Sequence, residues 1–419
     1  MDKNLQKKLT KKRWILLAAS CLINLCIGSL YAWSVFAGPL AERINLLTGS
    51  SLTAASLAIV FTVANAVGPV TMITGGTIND KLGPKWVIFA GGLLFGLGLL
   101  FCGFAESVTF LILFYGLGCG LGMGMVYGCT ISNSVKFFPD KRGLIGGIAT
   151  ATYGLSSVVI PPVATALIEK TGVSATMKIL GAVFTAVICA GALFIEKCPE
   201  GFAPEGWKPQ AVQNTPVKEV PDKTWKQMIA DPVFFVMIFM LMCGAFSGLM
   251  VTSQASPMAQ QTAGMSVGMA ATAVSVLALF NAAGRVAAGF LSDRFGRIRV
   301  LQTAFVLEIV GLALLLSVHE GSNALFFAGI SVMGICFGSL MGVYPGFTAD
   351  QFGTKNSSVN YGIMFIGFAV AGILGPTIVS KMVFSYGTYQ RAFYVAAGLA
   401  VAGILLSCVF QKMNKENER

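Results

Sequence analysis

Twelve long apolar stretches dominate this chain and constrain what it can fold into. Each is about 20 residues long or longer, the length at which an α-helix crosses the hydrocarbon core of a bilayer. With 55% hydrophobic and only 11% charged residues among 419, the chain has too little charge to cover a soluble globule. We therefore expect an all-α polytopic membrane protein of twelve transmembrane helices. The predicted spans cover residues 14–38, 52–79, 85–104, 107–135, 142–169, 174–196, 232–256, 267–292, 299–318, 321–349, 357–384 and 390–411.

The formal charge of +11 does not indicate a nucleic-acid partner, because the cations gather in loops on one side of the predicted spans. Positively charged loops remain in the cytoplasm. We therefore predict that both termini are cytoplasmic and that the protein lies in the cytoplasmic membrane. The predicted outer face receives only Arg43, Lys170, Lys178, Lys381 and Arg391.

A polar, proline-rich stretch separates the sixth and seventh spans. Residues 197–231 contain, among charged and polar residues, Pro199, Pro204, Pro209, Pro216 and Pro221. This composition is typical of a linker. We expect an N-terminal six-helix bundle over residues 1–196 and a C-terminal six-helix bundle over residues 232–419, joined by this cytoplasmic linker.

A short motif recurs at equivalent places in the two halves. It consists of Gly76, Asp80, Lys81 and Gly83 after the second span, and of Gly289, Asp293, Arg294, Gly296 and Arg297 after the eighth. Glycine permits close approach of helices, and aspartate accepts hydrogen bonds from a helix start or a basic partner. One such loop is typical of an ordinary positively charged turn, but two matched copies predict a gating element.

Arg285 is the one lysine or arginine predicted to lie inside the bilayer. A permanently charged guanidinium is costly there unless it faces water or an anion, so Arg285 is the candidate anion-binding residue. A structural tie to backbone carbonyls is the alternative. Asn281 lies four residues earlier, on the same helix face. It orients the guanidinium, meets the substrate or forms an interhelical hydrogen bond.

Taken together, these features resemble the major facilitator superfamily: twelve spans, a central linker and the pattern G-x-x-x-D-[RK]-x-G after spans two and eight. Other segments resemble the oxalate:formate antiporter family of bacterial carboxylate carriers. They are Leu30–Ser34, Phe137–Gly143, Tyr153–Leu155, Asn281–Arg299 and Asn360–Gly362. The resemblance covers essentially the whole chain. It implies secondary active transport by alternating access, with a substrate site near the bilayer midplane between the halves.

The resemblance also implies which other residues contact the substrate. Tyr31, Tyr127 and Tyr153 match positions that line the anion pocket in the family, and Tyr344 falls in a segment that lines the cavity; a packed or interfacial aromatic is the alternative for each. Phe368 stands where oxalate-binding members carry a lysine. A dianion would leave its second carboxylate unpaired in a low-dielectric pocket. We therefore predict a small monocarboxylate, lactate or pyruvate, with formate open and oxalate disfavoured.

The means of coupling is less constrained by the residues. Proton-linked monocarboxylate carriers of animals have an aspartate where this chain has Asn281. Glu308, in the ninth span, is the only acid well within a predicted helix and is the proton-coupling candidate, with a structural role as its alternative. Exchange of one anion for another, as in an oxalate/formate exchanger, also remains open.

Several other classes of function find no support in the sequence. We see no nucleophile with a matching base, no phosphate-binding loop and no metal-ligand spacing, so we expect no enzyme activity, cofactor or metal. The expected partners of this monomer are a small carboxylate anion, a co-transported proton or counter-anion, and the lipid bilayer. A carboxylate-sensing receptor with a transporter fold is the alternative of a different class.

Close helix packing is predicted for the span-four glycines Gly116, Gly118, Gly120, Gly122, Gly124 and Gly128.

Overall fold

The protein, described by a computed structural model over residues 3–207 and 222–417, is built from helices. The centre of the predicted linker, residues 208–221 with Pro209, Pro216 and Pro221, lies outside the described residues. The α-helices are α1 Lys3–Ile27, α2 Trp33–Thr48, α3 Ala58–Leu82, α4 Pro84–Cys102, α5 Val108–Leu111, α6 Gly120–Phe137, α7 Arg142–Phe194, α8 Trp225–Ile229, α9 Pro232–Ala263, α10 Val267–Phe295, α11 Arg297–Leu316, α12 Asn323–Phe352, α13 Ser357–Tyr386 and α14 Gln390–Asn417.

Within the described ranges, eleven helical stretches are long and apolar enough to cross a membrane. This confirms the predicted all-α membrane fold. The predicted fifth and sixth spans are two helices that meet at a kink within α7, where Gly172 is non-helical with φ 78°. A positive φ is a conformation that glycine adopts without steric cost, and it separates the two apolar runs where the sequence predicted a loop.

Two membrane-crossing stretches change helix type along their length. A 3₁₀ segment, Gly28–Ala32, joins α1 to α2. A π-helical segment, Ile112–Cys119, joins α5 to α6. The first of these segments contains Tyr31.

The chain divides into two compact units. Unit one comprises Met1–Asp140, Thr152–Asp222 and Phe352–Ile363, and unit two comprises Lys141–Ala151, Lys223–Gln351 and Met364–Arg419. The beginning of α7 therefore belongs to unit two, and the beginning of α13 belongs to unit one. The domain boundaries drawn around the linker remain a prediction.

Unit one depends on close packing of α6 against α3. A Cβ added at Gly124 would lie 2.0 Å from the carbonyl oxygen of Gly68, and one at Gly120 would lie 2.5 Å from that of Ala64. Any side chain larger than hydrogen would push the two backbones apart at these points. The structure thus shows the close packing predicted for the glycines of the fourth span.

Unit two has a large apolar core to which α9, α10, α11, α12, α13 and α14 contribute. Its members include Phe246, Met250, Leu277, Phe326 and Phe393. Leu277 of α10, the helix that carries Arg285 and Asn281, is part of this core, so α10 packs directly against it.

Candidate functional site

Arg285 is buried within unit two and is held by its own helix. Its side chain is only 5% exposed, and Nε donates a 2.8 Å hydrogen bond to Oδ1 of Asn281. The four-residue spacing that predicted a shared helix face therefore places the amide where it orients the guanidinium. Asn281 is itself 8% exposed.

A second helix supplies the other hydrogen bond to Arg285. Nη1 donates to the backbone carbonyl of Thr150 in α7 over 2.7 Å. Among the described residues, Nη2 makes no hydrogen bond, so the guanidinium keeps one donor edge for a further acceptor. Charge-assisted hydrogen bonds from such an edge match the geometry of a carboxylate.

Glycines surround the backbone on which Arg285 and Asn281 stand. A Cβ at Gly338 of α12 would lie 2.1 Å from the carbonyl oxygen of Asn281, and one at Gly342 would lie 2.2 Å from that of Arg285. On α7, a Cβ at Gly147 would also lie 2.2 Å from the carbonyl oxygen of Arg285. The position of the guanidinium is therefore set by direct backbone packing of α10 against both neighbours.

Neither the glycines of α12 nor the Thr150 carbonyl were predicted as part of the site. The four-residue spacing of Gly334, Gly338, Gly342 and Gly346 is the sequence signal for such packing. Every residue has a backbone carbonyl, so the sequence does not show that the carbonyl of Thr150 binds Arg285.

The predicted aromatic residues of unit two divide into two environments. Phe368 stacks on Phe365 with ring centroids 4.5 Å apart and lies parallel to Phe337 at 6.2 Å. Tyr344, by contrast, is fully buried, and its hydroxyl donates to the carbonyl of Met237 over 2.8 Å. Phe368 thus belongs to an apolar aromatic cluster, whereas the phenol of Tyr344 ties α12 to α9.

The three favoured tyrosines come together within unit one. The ring of Tyr153 lies 5.3 Å from that of Tyr31 and 4.7 Å from that of Tyr127. A Cβ at Gly28 would lie 2.3 Å from the carbonyl oxygen of Tyr153, so the 3₁₀ segment passes directly against α7. The predicted site residues therefore fall into two groups, one inside each unit.

The first copy of the repeated motif contacts the start of α13 within unit one. Asp80 accepts from the backbone amide of Val359 at 3.1 Å and from Lys136 at 2.7 Å. A Cβ at Gly76 would lie 2.9 Å from the backbone of Ser358. Gly83 ends α3 with φ 100°, while Lys81 is exposed and its carbonyl accepts from a lysine side chain.

The second copy makes the same kind of contact within unit two. Asp293 accepts 2.8 Å hydrogen bonds from the backbone amides of Gly143 and Leu144, at the start of α7. Its carboxylate also pairs with Arg297 at 2.6 Å. A Cβ at Gly289 would lie 2.2 Å from the carbonyl oxygen of Gly143. Both aspartates therefore accept from the N-terminal amides of a helix, a favourable place for negative charge.

The remaining motif residues surround this contact. Gly296 has φ 93° between α10 and α11, and the guanidinium of Arg294 lies 5.7 Å from the ring centroid of Phe295. Arg297 also donates to Asp350 at 2.9 Å, and Arg142 donates to the same carboxylate at 2.7 Å. Asp350 was not predicted, because a single acid at the end of a helix carries no distinctive pattern.

Glu308 of α11 lies in the apolar interior of unit two. It is 1% exposed. The hydroxyl of Ser247 in α9 lies beside its carboxyl group, but neither carboxyl oxygen meets hydrogen-bond geometry with any partner in the described part of the chain. An ionised carboxylate in such a place would be very costly, so the group is expected to be neutral.

The sequence of the chain matches a protein family and several known proteins. The family model described as Major Facilitator Superfamily matches residues 14–290 and 248–419. The chain is 29% identical over 407 residues to the "Oxalate:formate antiporter" of Oxalobacter formigenes. This alignment covers 96% of this chain and 93% of the relative. It is 26% identical over 402 residues to "Monocarboxylate transporter 11" of Mus musculus, covering 93% and 85% respectively.

Solved structures give the same answer for the fold. The crystal structure of the transporter FucP in the outward conformation superposes with a TM-score of 0.71, covering 95% of this chain and 99% of that one. At 14% sequence identity, this likeness shows the fold alone.

Proposed function

Since the chain belongs to the major facilitator superfamily, we propose that it moves a small monocarboxylate, lactate or pyruvate, across the cytoplasmic membrane by alternating access. The observation that carries this proposal is the buried guanidinium of Arg285. Asn281 and Thr150 occupy two of its nitrogens, while Nη2 has no hydrogen-bond partner among the described residues. The substrate carboxylate would accept from that edge.

The preference for one negative charge rests on Phe368. Its ring lies among Phe337 and Phe365, so it presents apolar surface and no charge. By the family resemblance it stands where oxalate-binding members carry a lysine, and a second carboxylate there would be left without a cation. The methyl group of lactate or pyruvate is compatible with such a surface. Tyr31, Tyr127 and Tyr153, which lie together within unit one, remain proposed substrate contacts on the family resemblance.

Coupling to a proton is part of the same proposal, with Glu308 as the candidate proton-binding residue. Its support is the buried carboxyl, which is expected to be neutral in this structure. Exchange of one anion for another is a second candidate, and the similarity to a relative named as an oxalate:formate antiporter favours it.

The wider arrangement follows from this function. We propose two six-helix halves, 1–196 and 232–419, that gate through the repeated motif, with both termini in the cytoplasm. The two aspartate contacts to helix starts support the gating role. The protein would act as a monomer in this scheme.

Uptake of labelled L-lactate into proteoliposomes tests the proposal. Stimulation by an inwardly directed proton gradient is the expected result, with protein-free liposomes as the blank. Stimulation only by internal formate or oxalate at equal pH would instead identify an exchanger. Saturable binding without net or exchange flux would contradict the carrier function and indicate a receptor.

A further inference from the structure

On one side of the first helix, exposed lysines near the N-terminus are followed by exposed apolar residues. Lys3, Lys7, Lys11, Trp14 and Ala18 follow one another at spacings of four, four, three and four residues. At 3.6 residues per turn, these spacings keep all five on one side of α1. All five are exposed. The side of α1 that is apolar within the predicted span therefore carries lysines where the helix extends out of the bilayer.

The opposite side of this helix is buried and its charges are paired. Arg13 makes a bidentate ion pair with Asp140 at 2.6 and 3.1 Å, and Lys12 pairs with Glu196. Gln6 donates to the carbonyl of Ala203 over 2.8 Å. Asp140 and Glu196 are therefore engaged away from the lysine side. Glu205, whose backbone amide donates to Thr10 over 3.0 Å, makes no ion pair with a lysine of this helix among the described residues.

The lysines themselves have no such partners. Lys8 lies one residue beyond Lys7, about 100° further around the helix, and is also exposed. Lys3, Lys7, Lys8 and Lys11, here called the lysine face, make no hydrogen bond or ion pair with any residue in the ranges 3–207 and 222–417. Four positive charges thus remain on one exposed surface of unit one. Such a surface is complementary to an anionic one.

The depth of the lysine face matches that of lipid headgroups. Trp14 and Ile15 are 46% and 60% exposed, and tryptophan is enriched at the membrane interface. At about 1.5 Å per residue, Lys11 lies roughly 5 Å and Lys7 roughly 10 Å along the axis from Trp14. Polar headgroup layers extend about 5 to 7 Å on each side of the hydrocarbon core, so the long side chains of Lys7, Lys8 and Lys11 reach them. Lys3, roughly 17 Å from Trp14 along the axis, lies beyond the layer.

From this placement we propose that the lysine face binds the headgroups of anionic phospholipids beside the first span. Each exposed lysine at an anionic membrane surface strengthens association about fivefold. This interaction is separate from substrate binding and does not depend on which anion is carried.

Native mass spectrometry of the full-length protein, titrated with phosphatidylglycerol or phosphatidylcholine, tests the assignment. Wild-type protein is expected to retain phosphatidylglycerol in preference to phosphatidylcholine. The variant K3Q/K7Q/K8Q/K11Q should lose about 100-fold in phosphatidylglycerol affinity, the product of roughly fivefold effects from the three lysines that reach the headgroups. The matched variant K3R/K7R/K8R/K11R keeps the charge and should keep the preference.

The substituted residues are exposed, and Lys12 and Arg13 are left in place, so the buried side of α1 is unchanged. A melting temperature like that of the wild type checks this for both variants. Unchanged phosphatidylglycerol binding by the glutamine variant would overturn the proposal. Equal loss in the arginine variant would also overturn it, because charge would then not be the property recognised.

Discussion

At the residue scale, the proposed preference for one negative charge depends on Phe368, which we propose lies in the substrate pocket. We expect Phe368→Lys to raise the affinity for oxalate by about tenfold or more, since about 1.4 kcal/mol of new charge pairing is sufficient for a factor of ten. Competition of unlabelled oxalate against labelled L-lactate uptake measures the change. Phe368→Leu is the control, because it removes the ring stacking without adding a charge. No gain for the lysine variant would count against the assignment of Phe368 to the pocket.

Glu308 is the second residue whose chemistry can be isolated. Glutamine has nearly the same shape as a protonated glutamate, so Glu308→Gln should fold normally in its apolar surroundings. If Glu308 binds the coupled proton, the variant will lose stimulation of uptake by a proton gradient and will retain exchange of labelled for unlabelled lactate. Parallel gradient-driven and exchange assays measure the two activities. Intact gradient-driven uptake would remove Glu308 from the coupling mechanism.

At the scale of elements, the contact between α10 and α12 fixes the backbone beneath Arg285. A Cβ at Gly338 would lie 2.1 Å from the carbonyl oxygen of Asn281 and 2.9 Å from the amide nitrogen of Arg285. We expect Gly338→Ala to lower the free energy of unfolding by about 1–3 kcal/mol, as overpacking does, and to impair lactate uptake. Thermal unfolding and uptake measure both effects.

Gly398 of α14 is the matched control, because a Cβ there meets nothing within 4 Å. Gly398→Ala should leave stability unchanged or raise it by up to about 1 kcal/mol, since alanine favours a helix over glycine. Equal losses in both alanine variants would show that the Gly338 contact has no special role.

The contact of Asp293 with the start of α7 is a second contact between elements. Asp293→Asn removes the charge that accepts from Gly143 and Leu144 and that pairs with Arg297. An asparagine keeps one acceptor oxygen and loses the other together with the charge, so we expect a loss of about 1–3 kcal/mol in stability, as for a hydrogen bond to a charged group, together with slower uptake. Asp231→Asn is the control, because Asp231 caps α9 through Val233 outside the repeated motif. Slowing of uptake to the same extent in the control would argue against a gating role.

At the scale of the whole molecule, hydropathy was sufficient to predict the spans because the bilayer imposes a length on every apolar helix. It also predicted the break between the fifth and sixth runs, where Gly172 has non-helical backbone angles. The first apolar run also extends further than predicted, through the 3₁₀ segment to Thr48. Ends of helices depend on capping and tertiary contacts that apolar length does not encode.

The site was partly predictable for a similar reason. Arg285 and Asn281 were accessible from sequence because both charge inside a membrane and the four-residue period are local signals. The Thr150 carbonyl and the close approach of Gly338 arise from the packing of helices distant in the chain. Such contacts are properties of the folded molecule.

Exchange of labelled L-lactate into proteoliposomes that contain unlabelled lactate, compared between the wild type, Arg285→Lys and Arg285→Gln, tests the central claim most directly. This assay needs no assumption about coupling. We expect Arg285→Gln to lose at least about 100-fold in exchange rate, since removing one partner of a buried charge pair costs about 3 kcal/mol or more. Arg285→Lys should retain a small part of the activity, because it keeps the charge and loses the planar fork. Exchange by Arg285→Gln at the wild-type rate would contradict the assignment of Arg285 as the residue that binds the carboxylate.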